Sequence, residues 1–440
     1  MTNKICILGL GYIGLPTASI FATNGFDVLG VDTNPRVVET VNRGRIHIQE
    51  RGLHTLVQAA VKSGRLRAAT EVEPADVFII AVPTPISEDK QADLAYVQDA
   101  GRMIASVLQA GNLVILESTS PPGTCMRVLR PILEESGLKA GPDFRLAHCP
   151  ERVVPGRTMR ELIQNDRVIG GVDRASGESA AKLYRVFVEG KIHLTDCTTA
   201  EMVKLMENTY RDVNIALANE LALICEKLDI SAWDVIELAN LHPRVNIHWP
   251  GPGVGGHCIA VDPWFIVERF PDTARIINLG RTINDSMPQY VVERMKAILE
   301  DIPSPRVAVL GVSYKGNIED ARSTPALPVM RGLEQAGITF AIYDPHVHDF
   351  EYELSSLQDA LADADCVLLL ADHDEFKFLY PQELGKLMRR RVVFDTRNAL
   401  SYDLWRECGF TVYRLGVGDA GDNVQTCSQQ IDKQKAAAGR

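Results

Sequence analysis

Cys258 closes the run Gly251-Pro252-Gly253-Val254-Gly255-Gly256-His257-Cys258, and Asp262 follows four residues later. Four glycines in six residues make a backbone that can wrap closely round a ligand. A lone cysteine is more often a small buried hydrophobe, and the other eight of the nine cysteines are read that way. A thiol presented at the end of a glycine loop is instead a nucleophile. As a thiolate it can attack a carbonyl and hold the product covalently, dividing one difficult conversion into easier steps. A thiol titrates near about 8.5, so it works best beside positive charge or hydrogen-bond donors. Lys204 and Asn208 lie four residues apart in a stretch of helical periodicity and share one face, with Arg211 nearby. Such residues usually mark a solvated face. Here Met202, Val203, Leu205 and Met206 surround Lys204 and point to a buried one. Lys204 can put charge beside a developing oxyanion and exchange a proton, and Asn208 can donate a further hydrogen bond. Asp262 and Glu151 are candidates to orient or activate water.

A second constellation opens the chain. Gly9-Leu10-Gly11-Tyr12-Ile13-Gly14 follows an apolar run and precedes a helical pattern, and Asp32 ends the next apolar run. Gly9 permits the tight turn, Gly11 lets backbone approach a pyrophosphate, and Gly14 lets helix and strand pack. The helix N-terminus offers N–H groups and partial positive charge to the phosphates. Asp32 can accept from both ribose hydroxyls and would repel a 2′-phosphate, so NAD is expected rather than NADP. Thr84 and Thr119 close later strands, where they either bond the cofactor or cap turns.

The elements that must position these residues alternate in type. Strands at 4–8, 26–31, 77–82 and 113–116 separated by helical stretches predict a parallel α/β sheet covered on both faces. A long helix from 199 and a shorter one at 231–240 follow, then a Pro-, Gly- and His-rich segment and a helical stretch over 274–300. From Pro305 the opening pattern returns: strand and glycine turn in RVAVLGVSYK, a helix over 325–336, and strands at 338–343, 365–371 and 391–395. The expected organisation is an NAD-binding Rossmann domain over 1–195, a central helical region with the cysteine loop over 196–300, a second Rossmann-like domain over 301–417, and a disordered polar tail over 418–440.

Composition agrees with a protein of two or three globular domains: 46% hydrophobic and 23% charged residues in 440. A net charge of −11 gives no support for a nucleic-acid partner. No apolar run approaches the roughly 20 residues that span a bilayer, and the N-terminus lacks the features of a secretory signal. An odd cysteine count without a CxxC pair argues against a disulfide framework or zinc ribbon and for a reducing cytoplasm. His346, His348 and His373 are read as polar turns rather than metal ligands, so no metal is expected. Arg389-Arg390-Arg391 reads as a solvated helix end.

Taken in order, the 9–14 loop, Ser118-Thr119, Cys149-Pro150-Glu151-Arg152, Lys204 to Asn208, Gly255-Gly256-His257-Cys258, Lys315 and Arg322 resemble the nucleotide-sugar 6-dehydrogenase family, from residue 4 to about 415. His242-Pro243-Arg244-Val245-Asn246-Ile247 and the segment 150–156 are most similar to the branch acting on UDP-N-acetyl-D-mannosamine, with UDP-N-acetylglucosamine or UDP-glucose as alternatives. The resemblance implies two Rossmann-like doubly wound domains joined by a long central helix that forms a homodimer or higher oligomer. It implies a four-electron oxidation of the sugar C6 with two NAD, through a thiohemiacetal and a thioester on Cys258, supplying a precursor for surface polysaccharide.

It also implies site roles. Tyr12, Ile13, Asp32, Thr84 and Thr119 would contact NAD, with Arg322 reaching it from the second domain. Arg152, Val153, Lys204, Asn208, Arg211 and Gly255 would line the sugar-nucleotide site, and Tyr314, Lys315 and Arg397 would add to it. His242 and Arg244 would enter the neighbouring subunit's site. Family members often carry Phe at position 314, and some Lys at 397. Two other classes compete: a two-electron 3-hydroxyacyl or 6-phosphogluconate type of dehydrogenase, which needs no cysteine, and a nucleotide-binding sensor without turnover.

Overall fold

The structure, a computed structural model, describes residues 4–153 and 156–418. Val154, Pro155 and the tail from 419, including the stretch expected to be disordered, lie outside the described residues. The chain divides into two compact units, Met1–Glu207 with Trp264–Thr273, and Asn208–Pro263 with Ala274–Arg440.

In the first unit eight strands form one sheet. They are β1 (Lys4–Leu8), β2 (Asp27–Val31), β3 (Leu66–Ala69), β4 (Val77–Ile80), β5 (Leu113–Leu116), β6 (Arg145–His148), β7 (Arg167–Gly171) and β8 (Ile192–Asp196). Their order is β3-β2-β1-β4-β5-β6-β7-β8. Runs such as VFII and LVIL are buried throughout because helices cover both faces. Along β1, Ile5 and Ile7 join one apolar layer and Cys6 and Leu8 the other, the period of two of a strand. Burying each such side chain contributes about 1.5–3 kcal/mol. Phe21, on the helix Gly14–Thr23, packs edge-on against Phe26 and Phe187 with ring centroids 5.5 and 5.0 Å away. All neighbouring strands are parallel except β6 and β7, where Ala147 faces Gly171 in antiparallel register. The chain leaves β1 toward β2 and β3 and returns on the other side at β4. The carboxyl ends of β1 and β4 therefore form the switch point where α/β sheets bind ligands.

The second sheet is wholly parallel: β9 (Arg306–Leu310), β10 (Thr339–Tyr343), β11 (Cys366–Leu369), β12 (Val392–Asp395) and β13 (Thr411–Arg414), in the order β10-β9-β11-β12-β13. Its switch point lies between β9 and β11. The helix Cys197–Lys227 has 31 residues, which at 1.5 Å per residue is about 46 Å. The helix Ala232–Ala239 follows, started by Ser231, whose hydroxyl accepts from the Asp234 N–H. The glycine loop then leads into the helix Asp262–Arg269, and the helix Arg275–Ile298 precedes β9.

Candidate active site

In the first unit the glycine loop takes the shape its spacing predicts. Gly9 adopts φ +91°, and a Cβ there would meet the Ala81 carbonyl oxygen at 2.5 Å. A Cβ on Gly14 would lie 1.8 Å from the Gly9 carbonyl oxygen. Gly11 alone faces open space, with nothing within 4 Å of its added Cβ. The helix Gly14–Thr23 starts at Ile13 without a side-chain cap; the Leu15 N–H is taken by the Gly11 carbonyl at 3.2 Å and Pro16 has no N–H. Asp32 braces the loop: its Oδ2 accepts from the Leu10 N–H at 3.0 Å and its Oδ1 from the Asn34 N–H at 2.9 Å. A pyrophosphate fits above Gly11, and Asp32 stands where a ribose edge would follow. Thr84 donates to the Thr119 carbonyl at 2.6 Å, and Ser118 donates to the Val82 carbonyl at 2.7 Å. These hydroxyls tie the loops after β4 and β5 together, so Thr84 does serve its turn; its lone pairs face outward from that bond.

Also in this unit, Glu151 accepts from the Arg152 N–H at 2.5 Å. Arg152 pairs with Glu207, Nη2 to Oε1 at 2.6 Å, and its Nη1 donates to the Asp166 carbonyl at 2.9 Å. Lys204 is buried at 9% exposure, as its apolar neighbours on the helix predict.

In the second unit Cys258 is exposed, whereas Cys6, Cys125, Cys149, Cys197, Cys225 and Cys366 are buried. Its carbonyl accepts from the N–H groups of Val261 at 3.1 Å and Asp262 at 2.8 Å. That turn sets the thiol-bearing residue one turn ahead of the helix Asp262–Arg269. Behind it, Arg211 donates to the Asn208 side-chain oxygen, and the Asn208 amide donates to the buried Asp262 carboxylate. Arg211, Asn208 and Asp262, chosen from the sequence for separate reasons, form one hydrogen-bonded chain.

The glycine loop is held close to the second sheet. A Cβ on Gly255 would lie 2.6 Å from the Ser323 carbonyl and 2.8 Å from the Tyr314 side chain. A Cβ on Gly251 would strike the Arg397 guanidinium at 2.4 Å. Asn219 accepts from the Gly251 N–H at 2.9 Å and donates to Asn284 at 2.8 Å. Asn284 in turn donates to Asp212 at 2.8 Å, and the buried Arg281 donates to the same carboxylate at 2.5 Å. Asp320 accepts from the Arg322 guanidinium at 2.7 Å and lies 3.7 Å from the His257 imidazole. Burial works to raise the Asp320 pKa, but the bonds from His257 and Arg322 win and hold it well below the usual carboxylate range.

Not every candidate joins a constellation. His242 and Arg244 are exposed, and the Arg244 N–H donates to His242 Nδ1 at 3.3 Å. Lys315 is exposed as well. Arg397 is in the wall of a cavity of about 520 Å³ with Trp233, Trp249 and Tyr402, a cavity that Cys258 does not line. His373 spends both ring nitrogens on the loops at the second switch point. Its Nδ1 accepts from the Asn317 N–H at 2.9 Å, and its Nε2 lies 3.0 Å from Asp344. Asn219 and Asn284 were not legible in the sequence, since each acts through a partner dozens of residues away.

Comparison with known proteins matches the chain in three consecutive parts. The models of the UDP-glucose/GDP-mannose dehydrogenase family match residues 3–188 as its NAD binding domain, 198–286 as its central domain and 308–402 as its UDP binding domain. A UDP-N-acetyl-D-mannosamine dehydrogenase of Methanocaldococcus jannaschii is 50% identical over 423 residues, covering 94% of this chain and 97% of the relative. An NDP-N-acetyl-D-galactosaminuronic acid dehydrogenase of Ralstonia nicotianae is 48% identical, covering 91% and 96%. Among solved structures, the UDP-N-acetyl-mannosamine dehydrogenase of Staphylococcus aureus superposes with a TM-score of 0.87 at 46% identity, covering 94% of this chain and 99% of that one.

Proposed function

The chain belongs to the UDP-glucose/GDP-mannose dehydrogenase family and is an NAD-dependent UDP-sugar dehydrogenase, and from that premise we propose that it oxidises UDP-N-acetyl-D-mannosamine at C6 to UDP-N-acetyl-D-mannosaminuronate through a covalent adduct on Cys258. The observation that carries the covalent step is the exposed thiol at the end of the glycine loop, on a residue whose backbone carbonyl accepts from the N–H of Asp262, the residue paired with Asn208. The sugar rests on the relatives that share most of the chain and bear that name.

NAD, when bound, accepts the hydride of each two-electron oxidation. The chain's residues do the rest. Gly9, Gly11, Tyr12, Ile13 and Gly14 seat the pyrophosphate, Asp32 the ribose, and Thr84, Thr119 and Arg322 complete the cofactor contacts. Arg152, Val153, Arg211, His242, Arg244, Gly255, Tyr314, Lys315 and Arg397 hold the sugar nucleotide. In the first oxidation the C6 hydroxyl proton passes to a base, for which Lys204 or Asp262 serves. Cys258 Sγ then bonds to the aldehyde carbon while the carbonyl oxygen takes up a proton, giving a thiohemiacetal. Lys204 and Asn208 stabilise the developing oxyanion. The adduct keeps one hydrogen on C6; its loss as hydride, with the hydroxyl proton passing to Lys204 or Asp262, leaves a thioester. Water adds to C6 with its proton passing to Glu151 or Asp262, the C–S bond breaks, and the carboxylate leaves.

Residues 1–195 would then be the cofactor domain, 196–300 the central region and 301–417 the sugar-nucleotide domain. The long helix presents Tyr210, Leu217 and Ile224, each more than two-fifths exposed and seven residues apart. A stripe of that kind supports a homodimer through this helix. Among the described residues no helix is long and apolar enough to cross a membrane, and the use of NAD and a UDP-sugar supports a cytoplasmic setting.

Relatives named for N-acetyl-galactosaminuronate favour a second reading with that sugar. Incubating purified protein with NAD and a panel of UDP-sugars, and analysing the acid formed, tests both. Two NADH per UDP-N-acetyl-D-mannosamine is expected. Turnover confined to another sugar rejects the substrate, and one NADH per sugar rejects the four-electron scheme.

A further inference from the structure

Behind Glu151 lies a buried charge cluster that the scheme above does not use. Arg167, the first residue of β7, is 6% exposed in its side chain. Its Nη2 is 3.8 Å from Glu151 Oε2, and its Nη1 is 4.0 Å from Glu117 Oε1 and donates to Cys149 Sγ at 3.5 Å. Tyr184, on the helix Arg174–Tyr184, lays its ring under the guanidinium at 4.6 Å and donates its hydroxyl to Glu117. Glu117 Oε2 and Glu151 Oε2 have no hydrogen-bond partner among the described residues. One cation thus serves two largely buried carboxylates, which is costly unless it is needed there.

We propose that Arg167 is the positioning residue for Glu151, and that Glu117, held by Tyr184, sets how strongly Arg167 draws on it. The inference rests on the reading that Glu151 takes the proton of the hydrolytic water. Glu151 is tethered through Oε1 by its neighbour's N–H. Its second oxygen lies 3.8 Å from the guanidinium, and the two anchors together fix the plane of the carboxylate. When Glu117 is neutral, Arg167 faces Glu151 as its one charged partner in the cluster; when Glu117 ionises, the guanidinium is shared between the two carboxylates and its hold on the direction of Glu151 changes. Burial pushes Glu117 up to about 7, with Arg167 opposing and Glu151 adding to the rise, so the exchange falls in the physiological range. The groups facing Glu117 are Arg167 from β7, Glu151 and Cys149 from the segment after β6, and Tyr184. Burial pushes Cys149 to about 11 and Tyr184 well above its ordinary value, so neither titrates in that range.

The test uses full-length protein with NAD and UDP-N-acetyl-D-mannosamine, following NADH and, after acid quench, the mass of the acylated protein. Arg167→Gln should slow acid release about tenfold or more and let the Cys258 thioester accumulate, with the KM for NAD within about twofold. Arg167→Lys should recover part of the rate. Glu117→Gln keeps the acceptor for Tyr184 and should remove the pH dependence of hydrolysis between pH 6 and 8. It is also the deciding variant if Arg167→Gln does not fold. Wild-type hydrolysis and pH profile in folded Glu117→Gln and Arg167→Lys, with slow hydrolysis in Glu151→Gln, overturns this inference alone. Normal hydrolysis in Glu151→Gln overturns the reading of Glu151 as well.

Discussion

The side-chain amide of Asn208 donates to the carboxylate of Asp262, and both residues are buried. The pair joins the long helix to the residue that begins the helix after Cys258, so it fixes the orientation of a carboxylate beside the nucleophile. Arg211 holds the other end of the amide, so the amide cannot flip without losing both partners. Asn208→Ala would remove one hydrogen bond from the buried Asp262 carboxylate, and a hydrogen bond to a charged group is worth about 1.5–3 kcal/mol. Acid formation should fall about a hundredfold, with little change in the KM for NAD. Asn208→Asp should be worse at high pH than at low, because two facing carboxylates cannot both ionise cheaply. A pH–rate profile of Asn208→Asp parallel to wild type would remove Asp262 from the chemistry.

Cys258 is the one exposed cysteine among those described, and it stands where the glycine loop turns into a helix. Cys258→Ser keeps the size and removes the thiolate. Acid formation should stop while NAD binding, measured by fluorescence titration, stays within about twofold of wild type. Normal-rate uronate production by this variant would end the thioester scheme.

Asp32 has two tasks, one seen and one proposed. It accepts from Leu10 and Asn34 and so shapes the loop, and it offers the same carboxylate to a ribose. Asp32→Asn loses the charge and one of the two oxygens that accept from Leu10 and Asn34. It should raise the KM for NAD about tenfold and narrow the preference over NADP, with kcat nearly unchanged. An unaltered NAD to NADP ratio would leave Asp32 with its structural task alone.

His148, in β6, is fully buried, and neither ring nitrogen has a hydrogen-bond partner of good geometry. The ligand atoms of Cys125 and Glu201 lie within 4.8 Å of its own. Burial lowers its pKa to about 3, with the Leu116 backbone opposing weakly. The unfolded chain binds a proton near 6.5 and the folded chain does not until about 3. Between those values the unfolded state holds more protons, so stability rises with pH and is lost as pH falls. The loss at pH 4 is about 3 kcal/mol at most. Thermal melts of His148→Leu should show a shallower fall in Tm from pH 6.5 to 4 than wild type. Equal slopes would show that the imidazole is not the acid-sensitive group.

The sequence revealed strands whose two faces are both covered and concealed those that are not. VFII at β4 and LVIL at β5 are unbroken apolar runs because helices lie on both sides. β3, β8 and β13 are edge strands in their sheets, and LRAA, IHLTD and TVYR carry exposed polar residues that hide their period. β6 and β7 each begin with arginine, and Arg167 looks like a surface residue in the sequence although it is buried. At the site, local spacing was enough for the shape of the Gly9 to Gly14 turn, for the burial of Lys204 and Asn208 and for the close-packed backbone of the cysteine loop. Asp320 beside His257, and Asn219 behind Gly251, act across the fold, and no periodicity announces an ion pair between distant residues or a side-chain amide relay.

Gly255 carries the last prediction, because its need for glycine comes from closeness rather than from backbone angle. Its φ is not in the left-handed region, so alanine is tolerated by the local backbone. What alanine cannot do is fit: its Cβ would lie 2.6 Å from the Ser323 carbonyl and 2.8 Å from the Tyr314 and Pro325 side chains. The Ser323 oxygen belongs to backbone, so the cysteine loop itself has to move. A shift of a few tenths of an ångström or more, three residues before Cys258, misplaces the thiol. Gly255→Ala should lower kcat about a hundredfold, since a misplacement of roughly 1 Å has that effect on a positioned reactant. The cost in stability should be modest, about 1–3 kcal/mol as for other overpacked sites. Measuring kcat and the melting curve on the same preparation separates the two effects. A variant that loses stability but keeps its rate of acid formation would show that the loop at Gly255 is scaffolding with no part in aiming the sulfur.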